Sequence, residues 1–354
     1  MNRRTFLAGL GAGGFTIVSG CQGVGFTSGE NRLQWKFETG DIVTSVPAVD
    51  GELVYTGSRD GSVYAVDMDS GNEAWQFKTN ESVAGSPTVV QEHVYVGSWD
   101  GHIYAITSED GEKEWAFDTG GYVGATPTVD DDTVFIGSGC SKTLFALTQN
   151  IGEPEWRFEP PQDDILSRVV LGEELLYFGS NDGRVYAVRT ETGQQEWSYA
   201  TGNSVNSEIE QWADTLYIGS YDSHLYALNR HDGRREWSFE TGDRVQSSPT
   251  VVDGSVYIGS ADGNVYAIDA ETGDENWRFE TGGTILNSSP VITDDTLYIG
   301  AGGSTAAGIY ALDIESGDQR WMFETGGTVH DSPTLVDGTL YFGSNDDHLY
   351  AVSV

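Results

Sequence analysis

The sequence predicts an all-β fold, an eight-bladed β-propeller of four-stranded blades that is closed by its own N-terminal strand. A tryptophan recurs every 40 to 44 residues, and an aromatic residue followed by alanine recurs in the same phase. Each repeat contains four short β-rich stretches that end in glycine turns. A unit of about forty residues with four strands is typical of a propeller blade.

Both ladders have eight rungs and therefore predict eight blades. The tryptophan ladder is Trp35, Trp75, Trp115, Trp156, Trp197, Trp237, Trp277 and Trp321. The second ladder is Tyr64, Tyr104, Phe145, Tyr186, Tyr226, Tyr266, Tyr310 and Tyr350. A large indole with one N–H donor on every fourth strand is expected at the contact between blades, and we name these eight residues the docking tryptophans.

The sixth repeat shows the strand order most clearly. From Val245 it reads VQSSPTVVDG, SVYIGSADG, NVYAIDAETG and ENWRFETG, four strand-length stretches that we label A to D. The propeller begins with a D-type stretch, Leu33 to Glu38, and ends with a C-type stretch, Leu349 to Val354. The N-terminal strand is therefore predicted to complete the last blade, which removes an exposed sheet edge.

An aspartate–glycine pair follows strand B in several repeats, at Asp60, Asp100, Asp182 and Asp262. These aspartates could be calcium ligands or turn residues. One carboxylate per turn is far below the ligand density that calcium needs, whereas Asp-Gly is a common hairpin turn. We interpret them as turn residues.

The charge is strongly acidic, with Lys+Arg 18 against Asp+Glu 55 and a formal net charge of -37. Such a surface repels nucleic acid and anionic lipid, so neither is expected as a partner. Because concentrated salt screens the self-repulsion, the composition suggests a halophilic archaeon as the source.

Residues 1 to 21 read as a targeting segment, outside the fold. Arg3 and Arg4, the apolar run and Cys21 resemble a twin-arginine (Tat) signal peptide with a lipobox. The resemblance implies export of a folded protein and a lipid-modified Cys21 that anchors it to the outer face of the cell membrane. An uncleaved anchor and a chance cysteine remain alternatives. We expect residues 22–30 to be a flexible tether and 31–354 to be the propeller.

The stretch AIDAETGDENW, from Ala267 to Trp277, resembles the quinoprotein-type (PQQ-like) repeat, and close variants recur over residues 31–354. The resemblance implies a propeller in which each tryptophan packs between blades. Similar proteins include dehydrogenases that use pyrroloquinoline quinone and the non-catalytic BamB-like lipoproteins, which help to assemble outer-membrane β-barrels. A haloarchaeon has no outer membrane, so that role would not transfer.

The quinone enzymes carry adjacent cysteines, a calcium cluster and long insertions between blades. Here Cys140 has no adjacent cysteine, and little length remains beyond the eight repeats. We therefore expect no cofactor and no metal, with pyrroloquinoline quinone plus calcium as the alternative. Cys140 itself could be a reactive thiol or an ordinary turn residue, and we favour the turn residue.

Repeats four and five depart most from the pattern. At the start of strand A, where other repeats have a small residue and proline, they carry Arg168 and Glu208, and repeat eight carries His330 and Asp331 nearby. These residues are expected at the mouth of the central channel. They could form a recognition site, or Arg168 and Glu208 could be an ion pair that plugs the channel, which we favour.

Three aromatic residues in turns, Trp99, Tyr122 and Tyr221, are predicted to be exposed on the same face and could anchor a partner or a sugar. The leading functional hypothesis is a non-enzymatic, monomeric, lipid-anchored scaffold that binds a protein partner. The alternatives are a quinone-dependent oxidoreductase and a ligand or carbohydrate sensor.

Overall fold

The computed structural model describes residues 29–303 and 307–354. A short 3-10 turn, Gly29–Arg32, precedes the first strand, and the strands of the described chain pair into eight antiparallel four-stranded sheets. The predicted all-β, eight-bladed propeller is confirmed. We number the blades 1 to 8 from the N-terminus.

Each blade runs from an inner strand A to an outer strand D. The A strands are Ala48–Asp50, Thr88–Val90, Thr128–Asp130, Val170–Leu171, Glu210–Trp212, Thr250–Val252, Val291–Ile292 and Thr334–Val336. The B strands are Leu53–Ser58, His93–Gly97, Thr133–Gly137, Leu175–Ser180, Thr215–Gly219, Ser255–Gly259, Thr296–Ala301 and Thr339–Ser344. The C strands are Ser62–Asp67, His102–Thr107, Leu144–Thr148, Arg184–Arg189, His224–Asn229, Asn264–Asp269, Gly308–Asp313 and His348–Ser353. The D strands are Glu73–Lys78, Lys113–Asp118, Pro154–Phe158, Gln195–Ala200, Arg235–Glu240, Glu275–Glu280, Gln319–Glu324 and, for blade 8, Leu33–Glu38.

The hydrophobic core lies between blades. Strands B and C are buried along most of their length, because both faces of each sheet are covered by a neighbouring sheet. Each core cluster combines two blades: Tyr95 and Ile103 of blade 2 pack with Val134 and Phe145 of blade 3, for example. Successive A strands contact one another around the central channel. A blade therefore buries little apolar surface on its own, and the ring is the folding unit.

The docking tryptophans join consecutive blades through one repeated contact. Trp197, on strand D of blade 4, donates its Nε1–H to the carbonyl of Arg230 in blade 5 at 3.0 Å. Its ring lies on Gly233, in the turn between strands C and D of blade 5, where an added Cβ would lie 2.6 Å from the indole. Gly233 has a φ of 69°, a backbone conformation that favours glycine. A side chain at this position would also clash with the indole.

Seven docking tryptophans make this contact, with N–H to carbonyl distances of 2.7 to 3.0 Å. The pairs of tryptophan and underlying glycine are Trp35–Gly71, Trp75–Gly111, Trp115–Gly152, Trp156–Gly193, Trp197–Gly233, Trp237–Gly273 and Trp277–Gly317. Each of these glycines lies four residues before the tryptophan of its own blade. The glycine receives the previous blade's tryptophan, and the tryptophan docks on the next blade.

The ring closes at blade 8 as the sequence predicts. Strand Leu33–Glu38 pairs with His348–Ser353, and Thr334 of blade 8 donates a hydrogen bond to the Pro47 carbonyl of blade 1 at 2.5 Å. In blade 8, strand D is the first strand of the propeller, so no turn connects it to strand C and no glycine turn packs against Trp321. Arg32 covers the Trp321 ring instead: its guanidinium lies 4.4 Å from the ring centroid and donates to the Ser353 carbonyl at 3.2 Å.

The aspartates after strand B are structural. Asp262 accepts hydrogen bonds from the Tyr266 hydroxyl at 2.7 Å and from the backbone N–H of Gly242 at 2.7 Å, which ties the loop entering blade 6 to its B–C turn. Burial raises the pKa of Asp262, but these bonds and those from Asn264 outweigh it, and the pKa lies below its usual value. The same tyrosine–aspartate bond occurs at Asp60, Asp100, Asp182, Asp222 and Asp346.

We expect Gly233→Ala to destabilise the propeller by about 2–4 kcal/mol, because it adds a clash with Trp197 to the cost of a positive φ. The matched control is Gly254→Ala, at a φ of 79° with nothing within 4 Å of the added Cβ. Gly254→Ala should therefore cost only about 1 kcal/mol. Urea unfolding followed by circular dichroism measures both changes. Equal losses would show that the tryptophan contact contributes nothing.

Candidate functional site

The central channel opens into a cavity of about 1220 Å³ on the face formed by the loops before strand A and the turns between strands B and C. All eight blades contribute to its lining. The cavity contains every residue of the predicted binding face: Arg168, Glu208, His330, Asp331, Trp99, Tyr122 and Tyr221. The structure thus brings together all seven residues that the comparison of the repeats had singled out.

One side of the channel mouth is polar. In blades 5 to 8, the residue directly before the position of Ser207, Ser247, Ser288 and Asp331 has an amide or imidazole side chain that lines the cavity. We name these four residues the polar arc: Asn206, Gln246, Asn287 and His330. The positions in blades 1 to 4 hold Thr44, Ala84, Gly124 and Leu166 instead.

Hydrogen bonds link the polar arc from blade to blade. The amides of Asn206 and Gln246 donate to the Tyr221 hydroxyl at 3.1 Å and 2.5 Å. Gln246 also donates to Asn287 Oδ1 at 3.1 Å, and Asn287 lies 3.4 Å from His330 Nδ1. Tyr221, predicted to be exposed, is half-buried because it is the acceptor at the centre of this network.

The opposite side of the mouth is aromatic. Trp99 is 43% exposed, its ring centroid lies 5.9 Å from that of Tyr122, and the Arg59 guanidinium lies 5.6 Å from the indole centroid. Tyr122 is half-buried, and its hydroxyl donates to Asp164 at 2.5 Å. Burial and the neighbouring Asp164 carboxylate raise the pKa of Tyr122, so the ring is neutral at ordinary pH.

The irregular loop before blade 4 holds Tyr122 in place. Asp164, in the Pro160–Asp164 segment, accepts the Tyr122 hydroxyl and also the backbone N–H of Cys140 at 2.7 Å. Cys140 is exposed and has a φ of 57°. The unusual turn around Cys140 thus supports an aromatic residue of the mouth.

Arg168 and Glu208 interrupt a ring of hydrogen bonds just inside the mouth. Serines at this register accept the backbone N–H of the previous blade: Val46 donates to Ser86 at 2.9 Å, Ser248 to Ser289 at 2.9 Å and Ser289 to Ser332 at 2.8 Å. The backbone N–H of Glu208 likewise donates to Ser248 at 2.9 Å, but within the described chain the side chains of Arg168 and Glu208 accept no such bond. At this register, blades 4 and 5 therefore present a charged side chain to the channel in place of a serine acceptor.

The predicted direct ion pair between Arg168 and Glu208 does not form. Neither residue takes part in an ion pair within 4.0 Å in the described part of the chain, although their charges attract. Burial raises the pKa of Glu208, Arg168 partly offsets this, and the carboxylate of Asp331 raises it again. Glu208 is therefore a buried carboxyl group whose ionised form is disfavoured, rather than half of a tight pair.

Asp331 stands where five other blades carry a serine. Those serines accept the backbone N–H of a glycine on strand B, as Ser247 does from Gly259 at 3.1 Å. The five serines are Ser45, Ser167, Ser207, Ser247 and Ser288. Asp331 Oδ2 is buried with no hydrogen-bond partner, and His330 Nδ1 lies 3.4 Å away.

The channel residues do not fit a calcium-bound quinone. Within residues 29–303 and 307–354, no three His, Cys, Asp or Glu side chains are grouped so that they could hold a metal ion. The exposed thiol of Cys140 has no neighbouring cysteine in the sequence. The donor set that the quinone enzymes use is therefore absent from the cavity walls that the structure describes.

The predicted Tat motif, Arg3 and Arg4, and the predicted lipidation site, Cys21, fall outside the described residues. None of the helical segments that the structure describes is long and apolar enough to cross a membrane.

The sequence analysis missed four residues of the cavity: Asn206, Gln246, Asn287 and Arg59. Comparing the eight repeats at the residue before each central serine would have revealed the first three, because polar residues replace small ones there.

The fold defines an eight-bladed PQQ-like propeller with a channel that is open at one face. The chain belongs to the family described as "Outer membrane protein assembly factor BamB", whose model matches residues 24–139, 117–215, 212–309 and 290–354. No curated protein matches the chain significantly.

Solved structures share the fold at low sequence identity. BamB from Moraxella catarrhalis is 20% identical with a TM-score of 0.77, over 91% of this chain and 97% of that one. The computationally designed Ika8 protein is 15% identical with a TM-score of 0.79, over 91% and 100%. Quinohemoprotein alcohol dehydrogenase from Comamonas testosteroni is 14% identical with a TM-score of 0.75, over 91% and 76%. The fold is thus shared by an assembly factor, a designed protein and an enzyme, and it does not choose between their functions.

We expect Glu208→Gln to raise the melting temperature by roughly 1–3 °C at neutral pH. The folded pKa of Glu208 is raised, so the folded protein binds this proton more tightly than the unfolded chain, and wild-type stability falls as pH rises above about 4.3. The gain should therefore shrink towards acidic pH. Thermal melts across this range at constant salt measure it.

The control is Glu52→Gln, at an exposed position between strands A and B of blade 1. It should leave the melting temperature unchanged at every pH. If the difference between Glu208→Gln and wild type does not change with pH, the burial argument is wrong.

Proposed function

We propose that this chain is a non-enzymatic, lipid-anchored propeller that acts outside the cytoplasm and presents its channel mouth to a protein partner. Membership of the BamB family supports a protein-interaction scaffold and an extracytoplasmic location. The proposed Tat signal and lipidated Cys21 supply the route and the anchor, and membrane contact would occur through the lipid alone.

The observation that carries the proposal is the aromatic side of the mouth. Exposed Trp99, flanked by Tyr122 and Arg59, combines the three residue types most enriched at the energetic centres of protein interfaces. The two neighbours hold the indole in one orientation, which lowers the entropy lost on binding. The acidic surface favours a protein partner over nucleic acid, which it repels.

The quinone-enzyme alternative has less support. The TM-score of 0.75 to an alcohol dehydrogenase reports a shared fold at 14% identity. The described channel walls lack the ligand set that calcium and an orthoquinone require, as shown above. The acidic composition supports a halophilic archaeal source, in which the partner would belong to the cell envelope but not to an outer membrane.

The partner can be identified by photo-crosslinking from position 99 in intact membranes in concentrated salt. The polypeptide captured there is then purified and titrated against the variants. We expect Trp99→Ala to bind at least tenfold more weakly than wild type, about 1.4 kcal/mol or more. Trp212→Ala is the matched control, because Trp212 is 39% exposed but lies at the other end of strand A, away from the cavity. Equal binding by both variants would reject the mouth as the interface.

The anchor is tested separately. We expect wild-type protein expressed in a haloarchaeal host to partition into detergent. Its measured mass should correspond to a chain that begins at a lipid-modified Cys21. Cys21→Ser should release the protein into the aqueous phase without changing its melting temperature. Substituting Arg3 and Arg4 by lysine should leave it unprocessed in the cytoplasm. An unmodified Cys21 in the membrane-bound wild type would contradict lipidation.

A further inference from the structure

The channel mouth contains polar groups that the protein itself does not use. Asn206 Oδ1 and Asp331 Oδ2 are buried without a hydrogen-bond partner. Within the described chain, the Arg168 guanidinium makes no hydrogen bond and no ion pair. Buried polar groups are normally satisfied, and leaving one unpaired costs about 1–3 kcal/mol. All three side chains line one cavity, but the two unpaired oxygens are covered by neighbouring atoms, so they show a polar wall and not surface that is open to a ligand.

We propose that the channel mouth binds a neutral saccharide, with a sugar ring against Trp99 and hydroxyl groups on the polar arc. This inference does not depend on the proposed protein partner. The chemistry of the lining selects the ligand class in three steps.

The charged groups of the lining are of both signs. They are the carboxyl groups of Glu81, Glu208, Glu210 and Asp331 and the guanidinium groups of Arg59 and Arg168. An anion would meet the carboxyl groups, and an organic cation would be attracted by them but repelled by the two arginines. A neutral ligand with many hydroxyl groups can donate to the carboxylates and accept from Arg168 at once, because every hydroxyl both donates and accepts.

The polar arc suits hydroxyl groups in particular. Its amides are held in position by the bonds through Tyr221, so they present fixed donors and acceptors and lose little entropy when a ligand binds. Asn206 donates to the Tyr221 hydroxyl, which fixes the orientation of its amide group. Fixed polar groups on one side of an otherwise open cavity orient a ligand.

The aromatic side supplies an apolar surface for the C–H face of a sugar ring. Trp99 is the only large aromatic residue of the described cavity lining that is classed as exposed. Gly124 keeps space beside it: an added Cβ would lie 3.6 Å from Trp99 Nε1 and 3.6 Å from Leu166 Cδ2. Small residues at 84 and 124 leave this side open, whereas the polar arc fills the other.

The size of the cavity indicates more than one sugar ring. Its volume of about 1220 Å³ is above the usual range of small-molecule pockets, roughly 300–1,000 Å³. An oligosaccharide can therefore span from Trp99 on one side to the polar arc on the other. A monosaccharide would reach only one of the two.

The test is calorimetric titration of the purified chain with four neutral trisaccharides: maltotriose, cellotriose, mannotriose and chitotriose. Spermidine and triglucuronate serve as the cationic and anionic comparisons. We expect at least one neutral trisaccharide to bind at millimolar concentration or below and to bind better than either charged probe. No binding by any of the four, or tighter binding of a charged probe, overturns the proposal.

Variants then locate the site. Trp99→Ala and Asn206→Ala should each weaken binding by about tenfold, and Trp99→Phe, which keeps an aromatic ring, should weaken it less. Trp212→Ala, with a similarly exposed indole outside the cavity, should bind like wild type. Binding that Trp99→Ala leaves intact would place the sugar elsewhere and reject the site. No protein partner is present in these titrations, so the absence of saccharide binding would not contradict the scaffold proposal. Likewise, a failure to detect a protein partner at Trp99 would not contradict saccharide binding.

Discussion

The contact between a tryptophan of one blade and a glycine turn of the next is the constraint on which the rest of this structure depends. Each contact combines a buried or half-buried indole, a satisfied N–H donor and a backbone conformation that favours glycine. Because it joins two repeats, neither residue is stabilised within its own blade. The ring therefore assembles from interfaces, and the strict spacing of the motif follows from the need to bring tryptophan and glycine into register at every step.

Closure shows what happens when this contact cannot form. The chain ends interrupt the turn that would receive Trp321, and Arg32 covers the indole while it bonds to the last strand. A cation over an aromatic ring replaces an N–H to carbonyl bond. Arg32 thus links the first strand of the propeller to the last, and strand Leu33–Glu38 covers the edge that His348–Ser353 would otherwise expose.

The channel gains its chemistry from departures from the repeat. In four blades a serine at the channel accepts an inter-blade hydrogen bond, and Arg168 and Glu208 stand at that position in blades 4 and 5. Asp331 replaces a serine that binds strand B within its own blade, and its Oδ2 is left without a hydrogen-bond partner. The sequence located these residues, since a regular repeat makes each exception visible. It did not show that Arg168 and Glu208 stay apart, because adjacent registers specify neighbouring blades but not side-chain directions.

The aromatic residues illustrate the same limit. Trp99, Tyr122 and Tyr221 were predicted to share one exposed face, and the structure brings all three to the cavity. Only Trp99 is exposed, because Asp164 holds the Tyr122 hydroxyl and two amides donate to that of Tyr221. These partners lie up to 42 residues away along the chain. No local pattern in the sequence reports a contact at that distance.

The amino-acid sequence by itself determined the number of blades, the order of strands and the closing strand, because periodicity and turn chemistry are local properties repeated eight times. The tertiary structure alone decided which polar groups meet across the channel. The polar arc is drawn from four blades, and its members become neighbours only when the ring is closed. A binding site made of single residues from separate repeats has no signature in any one repeat, which is why the scaffold was predictable and the site was not.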